Sequence, residues 1–255
     1  MQWVKNGPIQ LCCEVRGRGS RHVLFAHGWI SSRRMWYEVV ERLDHERFTL
    51  HLLDFRGCGL SDRPRPDGDL EGYASDLRTV LASVDAPVTL VGHSLGGRLA
   101  QFVATEQPKN LERLILIAPG TAKAIRFTPA RRKQAEETYG SRERIERFQR
   151  AAMFREVAPD VMERIINDAL VASYEHWVGG EARGRIDFTD RLARITVPTL
   201  AIAGSNDPLA PPSRVKREVS GAITDALFVL LREAGHNLPV ETPDDIAEAV
   251  RRFGD

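Results

Sequence analysis

Long apolar runs are missing from this sequence. No stretch approaches the ~18 consecutive apolar residues that a membrane-spanning helix needs, so we expect no membrane span. The first residues, MQWVKNGPIQLCCEV, lack a basic head followed by an apolar stretch of signal-peptide length, and we expect them to begin the fold itself. An excess of one charge is also missing, because 36 Lys and Arg are balanced by 35 Asp and Glu. That balance argues against a nucleic-acid-binding protein.

Cysteine is scarce, with three residues in a chain of 255. Cys12 and Cys13 are neighbours in an expected strand, where their side chains would point to opposite faces, and this does not suggest a disulfide. Cys58 has no assigned base, so we expect it to be a packing residue. The cysteine usage predicts a reducing, cytoplasmic environment.

Strand-like and helix-like segments alternate over the first 119 residues. Short apolar stretches separated by helical periodicity are typical of a parallel sheet covered by helices on both faces. The expected strands are Leu11–Val15, His22–Ala26, Leu50–Asp54, Val88–Val91 and Leu114–Ala118. The expected helices are Trp36–Leu43, Tyr73–Val84 and one that ends at about Glu106. We therefore predict an α/β fold with a mostly parallel sheet flanked by helices.

The pattern changes between residues 120 and 190, where the sequence contains no convincing strand. Helical stretches occur there at Thr128–Tyr139, Ser141–Phe154 and Pro159–Ser173. Strand-like segments return at Thr199–Ala203 and Leu227–Leu231, and a closing helix is expected at Pro243–Phe253. We predict an α/β core from residues 1–119 and 191–255, with residues 120–190 inserted as an all-helical cap, or lid.

One short segment, TLVGHSLGGRLAQF, places Gly92, Ser94 and Gly96 between an expected strand and an expected helix. A Gly-x-Ser-x-Gly turn of this kind projects the serine hydroxyl from the end of the strand. Glycines beside the serine avoid collisions with neighbouring backbone, and the helix N-terminus aims free N–H groups where an oxyanion can form. The segment indicates that Ser94 is a nucleophile, and an ordinary strand-to-helix turn is the alternative.

A serine hydroxyl needs a base at neutral pH, and His236 is the best candidate among seven histidines. It lies in EAGHNLP after the last expected strand, and ligands gather at the strand ends of an open parallel sheet. Asp207, in AGSNDPL, is the candidate partner of the histidine. A simple turn residue is the alternative for Asp207, and Asp54 is a rival carboxylate at another strand end. His27 and His93 lie in tight turns, where we expect local hydrogen bonds.

Five segments, in this order, resemble the α/β-hydrolase-fold superfamily over essentially the whole chain. They are His27-Gly28-Trp29, Asp54–Asp62, the Gly92–Gly97 turn, Gly204–Pro208 and Gly235-His236. The chain order of the serine, the aspartate and the histidine also matches that superfamily. Five matching segments are far more specific than any one of them.

The resemblance implies a role for each of these residues. Ser94 would attack an acyl carbon while His236 takes its proton, and Asp207 would orient the imidazole. The backbone N–H groups of Trp29 and Leu95 would form the oxyanion hole. Water activated at the histidine would then hydrolyse the acyl-Ser94 intermediate, and the reaction needs no metal ion or other cofactor. The expected function is a serine esterase acting on a carboxylic ester, lactone or thioester of modest size.

Other functions stay open at this stage. Relatives of this type use the same three residues for C–C bond hydrolysis, for lyase reactions and for cofactor-free oxygenase or perhydrolase chemistry. The scaffold also supports non-catalytic ligand-binding proteins. Haloalkane dehalogenases and epoxide hydrolases are disfavoured, because they carry an aspartate nucleophile where this chain has Ser94. A fold resemblance by itself does not identify the substrate.

The expected substrate pocket is apolar. Trp29, Leu209 and Leu238 flank the candidate catalytic residues in the sequence. Phe127 and Trp177 come from the expected cap, although most cap aromatics are expected to pack within the cap itself. These five candidates favour a small-molecule substrate with an apolar acyl or alcohol group.

Charge is uneven in the expected cap. Residues 123–155 carry ten Lys and Arg against four Glu, whereas residues 156–190 carry three Arg against eight acids. Solvated helix faces with i,i+4 pairs, such as Glu143 with Arg147 and Glu146 with Arg150, are one explanation. The alternative is a basic patch for an anionic partner, such as a CoA thioester or an acyl carrier protein. The sequence leaves the oligomeric state open.

Overall fold

Eight strands form a single sheet in the part of the chain that the computed structural model describes, residues 1–66 and 68–253. In chain order they are β1 (Gln2–Asn6), β2 (Ile9–Gly17), β3 (Arg21–Ala26), β4 (Phe48–Leu53), β5 (Val88–His93), β6 (Leu111–Ile117), β7 (Thr199–Gly204) and β8 (Leu227–Leu231). Their order across the sheet is β1-β2-β4-β3-β5-β6-β7-β8. The β1–β2 and β2–β4 pairs are antiparallel and the other pairs are parallel. The predicted mostly parallel sheet is confirmed.

The burial of the central strands explains why these strands could be predicted from the sequence. Every residue of β4, β5 and β7 is buried, as expected where helices cover both faces of a sheet. Strand β1 was not predicted, because Val4 is its only buried residue and five residues give too little alternation. It pairs with β2 in a hairpin and extends the sheet at its first edge.

The helices are α1 to α11 in chain order, and α3, which follows the serine turn, packs on β5 and β6. Their bounds are α1 (Tyr37–Val40), α2 (Leu70–Ala82), α3 (Leu95–Ala104), α4 (Pro129–Thr138), α5 (Arg142–Ala152), α6 (Pro159–Val171), α7 (Tyr174–Val178), α8 (Gly180–Gly184), α9 (Pro212–Glu218), α10 (Leu238–Glu241) and α11 (Pro243–Phe253). Short 3₁₀ turns occupy Arg33–Trp36, Thr189–Arg194 and Ser220–Ala222. No helix in the described ranges is long and apolar enough to cross a membrane.

The helix expected at Trp36–Leu43 is shorter in the structure. The Ser32 hydroxyl accepts a hydrogen bond from the Arg34 N–H, and this cap begins the turn several residues earlier, as the 3₁₀ segment Arg33–Trp36. Helix α1 then continues only to Val40. The early cap and the tight first turn account for the shifted and shortened helix.

All regular structure between β6 and β7 is helical in the described chain and comprises α4 to α8. Hydroxyl side chains cap α4, α5 and α7, where Thr128, Ser141 and Ser173 accept a hydrogen bond from the first turn. Apolar residues of these helices, including Ile145 and Trp177, pack in a cluster of their own with the loop that follows β3. The division of the chain into a core and a cap stays a prediction.

Several buried histidines are held neutral by the fold. Burial lowers the pKa of His93 to about 3, and burial together with the facing His22 ring lowers the pKa of His51 to about 4. His22 Nδ1 lies 3.0 Å from His51 Nε2, so protonation of both rings would place two cations face to face. Below pH ~6.5 the unfolded chain therefore binds more protons than the folded chain. The free energy of unfolding decreases as the pH is lowered through that range.

We expect His51→Gln to reduce this acid sensitivity. Between pH 7 and pH 4.5 the wild-type free energy of unfolding should fall by about 2 kcal/mol more than that of the variant. Urea unfolding of both proteins at the two pH values measures the difference, with the half-exposed His45→Gln as a matched control. An identical pH dependence in the wild type and in His51→Gln would contradict the assignment.

Candidate active site

The turn between β5 and α3 carries Ser94 in a strained conformation. Its φ of 52° and ψ of −112° lie in a region that side-chain-bearing residues rarely adopt. A Cβ on Gly92 would lie 2.6 Å from the carbonyl oxygen of Gly96, and one on Gly96 would lie 2.2 Å from the carbonyl oxygen of Ala26. The two glycines are therefore required by close approaches of backbone to backbone, as the sequence pattern indicated.

The three sequence-predicted residues Ser94, His236 and Asp207 lie together. His236 Nε2 is 2.9 Å from Ser94 Oγ, and His236 Nδ1 is 2.8 Å from Asp207 Oδ2. They follow β5, β8 and β7, whose carboxyl ends meet at one edge of the parallel sheet. With Nδ1–H donating to the carboxylate, the Nε2 lone pair faces the serine hydroxyl. This is the geometry that a general base needs in order to take the hydroxyl proton.

Asp207 is held as a carboxylate. Burial raises its pKa, but the hydrogen bond from His236 and those from the N–H groups of Leu209 and Ala210 outweigh burial, and the pKa lies below its ordinary value. Its Oδ1 accepts from these two N–H groups at 2.7 and 2.8 Å, while Oδ2 is left for the histidine. The N–H groups of its own loop therefore fix the orientation of the carboxylate independently of the histidine.

Asp54, the rival carboxylate, has a structural role. Its oxygens accept hydrogen bonds from the backbone and the guanidinium of Arg33 and from the N–H of Leu60. It lies fully buried in the loop that follows β4, and these partners occupy its oxygens. Cys58, in the same loop, is also fully buried, and burial raises its pKa well above the ordinary value, as befits the expected packing residue.

His93 supports the candidate base rather than its own turn. Its Nε2 donates to the carbonyl oxygen of His236 at 2.9 Å, across 143 positions of the chain, and the two rings lie 5.0 Å apart. The expectation of a local hydrogen bond was therefore wrong for His93. Its buried ring lies at the sheet edge against the loop that contains His236, and it forms its hydrogen bond with that loop. For His27 the expectation is confirmed, since its Nδ1 lies 2.7 Å from the carbonyl oxygen of Gly28.

The loop after β3 brings Trp29 beside the serine turn. The Trp29 indole N–H donates to the carbonyl oxygen of His176 at 2.9 Å, and the N–H of Ile30 donates to His176 Nε2 at 3.1 Å. Leu95 is the first residue of α3, where backbone N–H groups have no partner within the helix. Both residues line the cavity above Ser94, and their role as oxyanion donors stays a prediction.

A cavity of about 550 Å³ opens above Ser94 and His236. Four of the five expected pocket residues line it, namely Trp29, Phe127, Trp177 and Leu209. Leu238 does not, because it begins α10 and is completely buried in the main core. The chain turns into that helix directly after the histidine loop, and this turn directs the leucine away from the cavity.

Several polar residues of the cavity wall were not predicted from the sequence. One face of α4 contributes Arg131, Gln134 and Thr138, and α3 contributes Arg98 one turn after the serine. Polar side chains at helical spacing are typical of solvated faces, so the α4 residues gave no distinctive signal. Arg98 could have been found from its position four residues after Ser94 on the same helix.

Most cations of the expected cap are paired with carboxylates. Arg147 lies 2.7 Å from Glu143 and Arg150 lies 2.8 Å from Glu146, as i,i+4 spacing predicts. Other pairs have the same character and include Arg132 with Glu136, Arg144 with Glu137, and Arg142 with Glu163. The ion pairs favour the explanation of solvated helix faces over a continuous basic patch.

No metal-binding group is evident in residues 1–66 and 68–253. There, no cluster of three or more His, Cys, Asp or Glu side chains is placed to hold a metal ion.

We expect Gly96→Ala to destabilise the serine turn. The new Cβ would overlap the Ala26 carbonyl, and backbone must shift to relieve it, at a cost of about 1–3 kcal/mol in the free energy of unfolding. Urea unfolding measures the cost, and the labelling rate of Ser94 by a fluorophosphonate measures the displacement of the hydroxyl. Wild-type values for both would contradict the close approach.

Comparison with known proteins places this chain among the hydrolases. A sequence model described as the alpha/beta hydrolase family matches residues 23–249. The AB hydrolase superfamily protein YisY of Bacillus subtilis is 28% identical over 96% of this chain and 95% of its own length. The pimeloyl-[acyl-carrier protein] methyl ester esterase of Aeromonas salmonicida is also 28% identical, over 96% of this chain and 99% of its own.

Solved structures agree in fold. The esterase from Exiguobacterium antarcticum superposes with a TM-score of 0.89 at 22% identity, over 99% of this chain and 98% of that one, which shows the fold alone. A thermophilic esterase from Thermogutta terrifontis superposes with a TM-score of 0.79 at 28% identity, over 99% and 98% of the two chains. Because the family match spans most of the sequence and the fold agrees over nearly all of it, this chain belongs to the alpha/beta hydrolase family.

Proposed function

We propose that this protein hydrolyses carboxylic esters through an acyl-Ser94 intermediate. The observation that carries the proposal is the unbroken pair of hydrogen bonds between Ser94 and His236 and between His236 and Asp207, at 2.9 and 2.8 Å, beneath a cavity of about 550 Å³. Similarity to an esterase of Aeromonas salmonicida over nearly the whole chain supports the same reaction class.

The reaction follows from the positions of the three side chains. His236 Nε2 takes the Ser94 proton as Oγ bonds to the ester carbonyl carbon, and the carbonyl oxygen becomes an oxyanion between the N–H groups of Leu95 and Trp29. The oxyanion collapses, the C–O bond to the alcohol breaks, and the imidazolium returns its proton to the leaving alkoxide. Water then attacks the acyl-serine with the same base, which releases the acid and restores Ser94. Lactones and thioesters react by the same steps.

We expect Ser94→Ala to abolish ester hydrolysis and Asp207→Asn to lower kcat about 10²–10⁴-fold, because the amide no longer selects the Nδ1–H tautomer. Initial rates on p-nitrophenyl esters from acetate to dodecanoate measure both effects and the preferred chain length. Ser83→Ala, on an exposed serine at the end of α2, is the matched control.

Fluorophosphonate labelling separates the alternatives. Labelling of Ser94 with no turnover of any ester would favour lyase, oxygenase or C–C hydrolase chemistry with the same residues. A wild-type protein that is neither labelled nor active would contradict the proposal and favour a ligand-binding role.

The cavity favours a substrate with an anionic group away from the scissile bond. Four arginines line the cavity, and no Asp or Glu is found among the lining residues of the described chain. Arg98 and Arg183 are buried and donate to backbone carbonyls, whereas Arg131 is exposed and forms none of the cap ion pairs. Arg214, from α9, lines the same cavity; it is half-buried, and one of its nitrogens donates to the carbonyl oxygen of Leu209. We propose that Arg131 and Arg214 face a carboxylate or phosphate of the substrate, either free or borne by an acyl carrier protein.

We expect Arg131→Gln to raise KM for a monomethyl dicarboxylate about 3–10-fold, the loss of one exposed charge-assisted contact. The KM for a neutral methyl alkanoate of equal length should stay unchanged. Arg126→Gln, also exposed but outside the cavity wall, is the matched control. An equal rise in KM for the charged and the neutral ester in Arg131→Gln would contradict the anionic site. If Arg131→Gln and Arg126→Gln both raise KM for a carrier-bound ester only, the two arginines contact the carrier protein rather than the substrate anion.

A further inference from the structure

A buried carboxylate outside the cavity collects four backbone N–H groups. Glu241, the last residue of α10, is 6% exposed. Its Oε2 accepts from the N–H groups of Phe154, Arg155 and Gly235 at 2.8, 3.0 and 2.9 Å. Its Oε1 accepts from the N–H of Asn237 at 2.9 Å. Four donors match the roughly four lone-pair sites of a carboxylate, so the acceptor positions of this buried side chain are filled by backbone N–H groups.

The four donors belong to two chain segments. Gly235 and Asn237 flank His236, whereas Phe154 and Arg155 follow helix α5. Glu241 therefore joins the loop of the candidate base to the helical segment that lies between β6 and β7.

Two further contacts hold the same segments together. The N–H of His236 donates to the carbonyl oxygen of Ala152 at 2.8 Å, and the Asn237 amide donates to Gln149 Oε1 at 2.9 Å. A Cβ on Gly235 would lie 2.6 Å from the Phe154 nitrogen and 2.7 Å from the Ala152 carbonyl oxygen. The segments thus touch backbone to backbone, and residues on both sides of the histidine are fixed.

We propose that Glu241 is a positioning residue that aligns His236 with Ser94 and Asp207 and makes this alignment depend on the loop between α5 and α6. It is absent from the cavity wall and so acts through the histidine loop rather than on substrate. The inference rests on the proposed function for its kinetic consequence, because the histidine must act as the base. Its structural part, the orientation of the imidazole, is measurable without turnover.

Glu241→Gln tests the proposal. The amide replaces one acceptor oxygen by an NH₂ group that faces backbone N–H donors, so the histidine loop should shift. We expect kcat for p-nitrophenyl acetate to fall about 10–100-fold with KM within about 2-fold, the pattern of a lost transition-state alignment. The fluorophosphonate labelling rate should fall in parallel. Glu248→Gln, which removes the same charge from a surface ion pair on α11, is the matched control.

A spectroscopic readout separates positioning from simple loss of stability. The hydrogen bond from His236 Nδ1 to Asp207 should give a downfield N–H proton resonance, assigned by its absence in Asp207→Asn. We expect this resonance to broaden or vanish in folded Glu241→Gln and to persist in Glu248→Gln. If Glu241→Gln does not fold, Glu241→Asp replaces it, because the shorter carboxylate keeps both acceptor oxygens but cannot reach all four N–H groups, and it should lower kcat about 3-fold.

The outcomes are distinct. A folded Glu241→Gln with wild-type kcat per labelled serine and an intact downfield resonance would overturn the proposal. Loss of activity that matches only the loss of folded protein would overturn it too. A wild-type protein inactive on esters would refute the proposed function, while the resonance would still decide whether Glu241 orients His236.

Discussion

The strained turn at Ser94 is the constraint on which the rest of the site depends. The helix after the serine can approach the ends of β3 and β5 only where no side chain intervenes, and Gly92 and Gly96 meet neighbouring carbonyls at distances that exclude a Cβ. This approach puts the hydroxyl above the sheet edge and directs the N-terminus of α3 toward the same point. The histidine and the aspartate then need only to reach one fixed hydroxyl from the ends of β8 and β7. Preorganisation of this kind is what electrostatic stabilisation of an oxyanion requires.

The chain between β6 and β7 forms hydrogen bonds with the Trp29 loop, with helix α3 and with the histidine loop. The Trp29 loop is held by the carbonyl of His176, and Arg98 of α3 donates to the carbonyl of Ile186 at 2.6 Å. The histidine loop is held through Glu241. These contacts are made by backbone groups and buried side chains, which are costly to leave without a partner. The helical segment is therefore part of the support of the site as well as the wall of its cavity.

Electrostatics at the site divide between neutral and charged groups. Burial keeps His93 neutral, with a pKa of about 3, so that it can donate steadily to the backbone of the histidine loop. Asp207 stays charged because three hydrogen bonds outweigh the effect of its burial on the pKa. The proposed base lies between a fixed dipole and a fixed charge, so that it keeps its Nδ1 proton while Nε2 accepts the proton of Ser94. The lining of the cavity above, in the part of the chain that the structure describes, holds four arginines and no Asp or Glu, which supports the proposed anionic part of the substrate.

The sequence by itself determined the fold class and the main residues of the candidate site, because both depend on local patterns. Fully buried strands give continuous apolar runs, a positive-φ serine needs flanking glycines, and parallel strand ends converge, so the α/β sheet and the grouping of Ser94, Asp207 and His236 could be inferred without coordinates. The tertiary structure alone decided the contacts between distant segments. Strand β1 depends on pairing with β2, and Leu238 turned into the core rather than the cavity. Roles such as that of Glu241 arise because backbone donors from residues 154 and 155 meet a carboxylate almost ninety positions later. No local pattern encodes such a meeting, since it depends on how the helices pack.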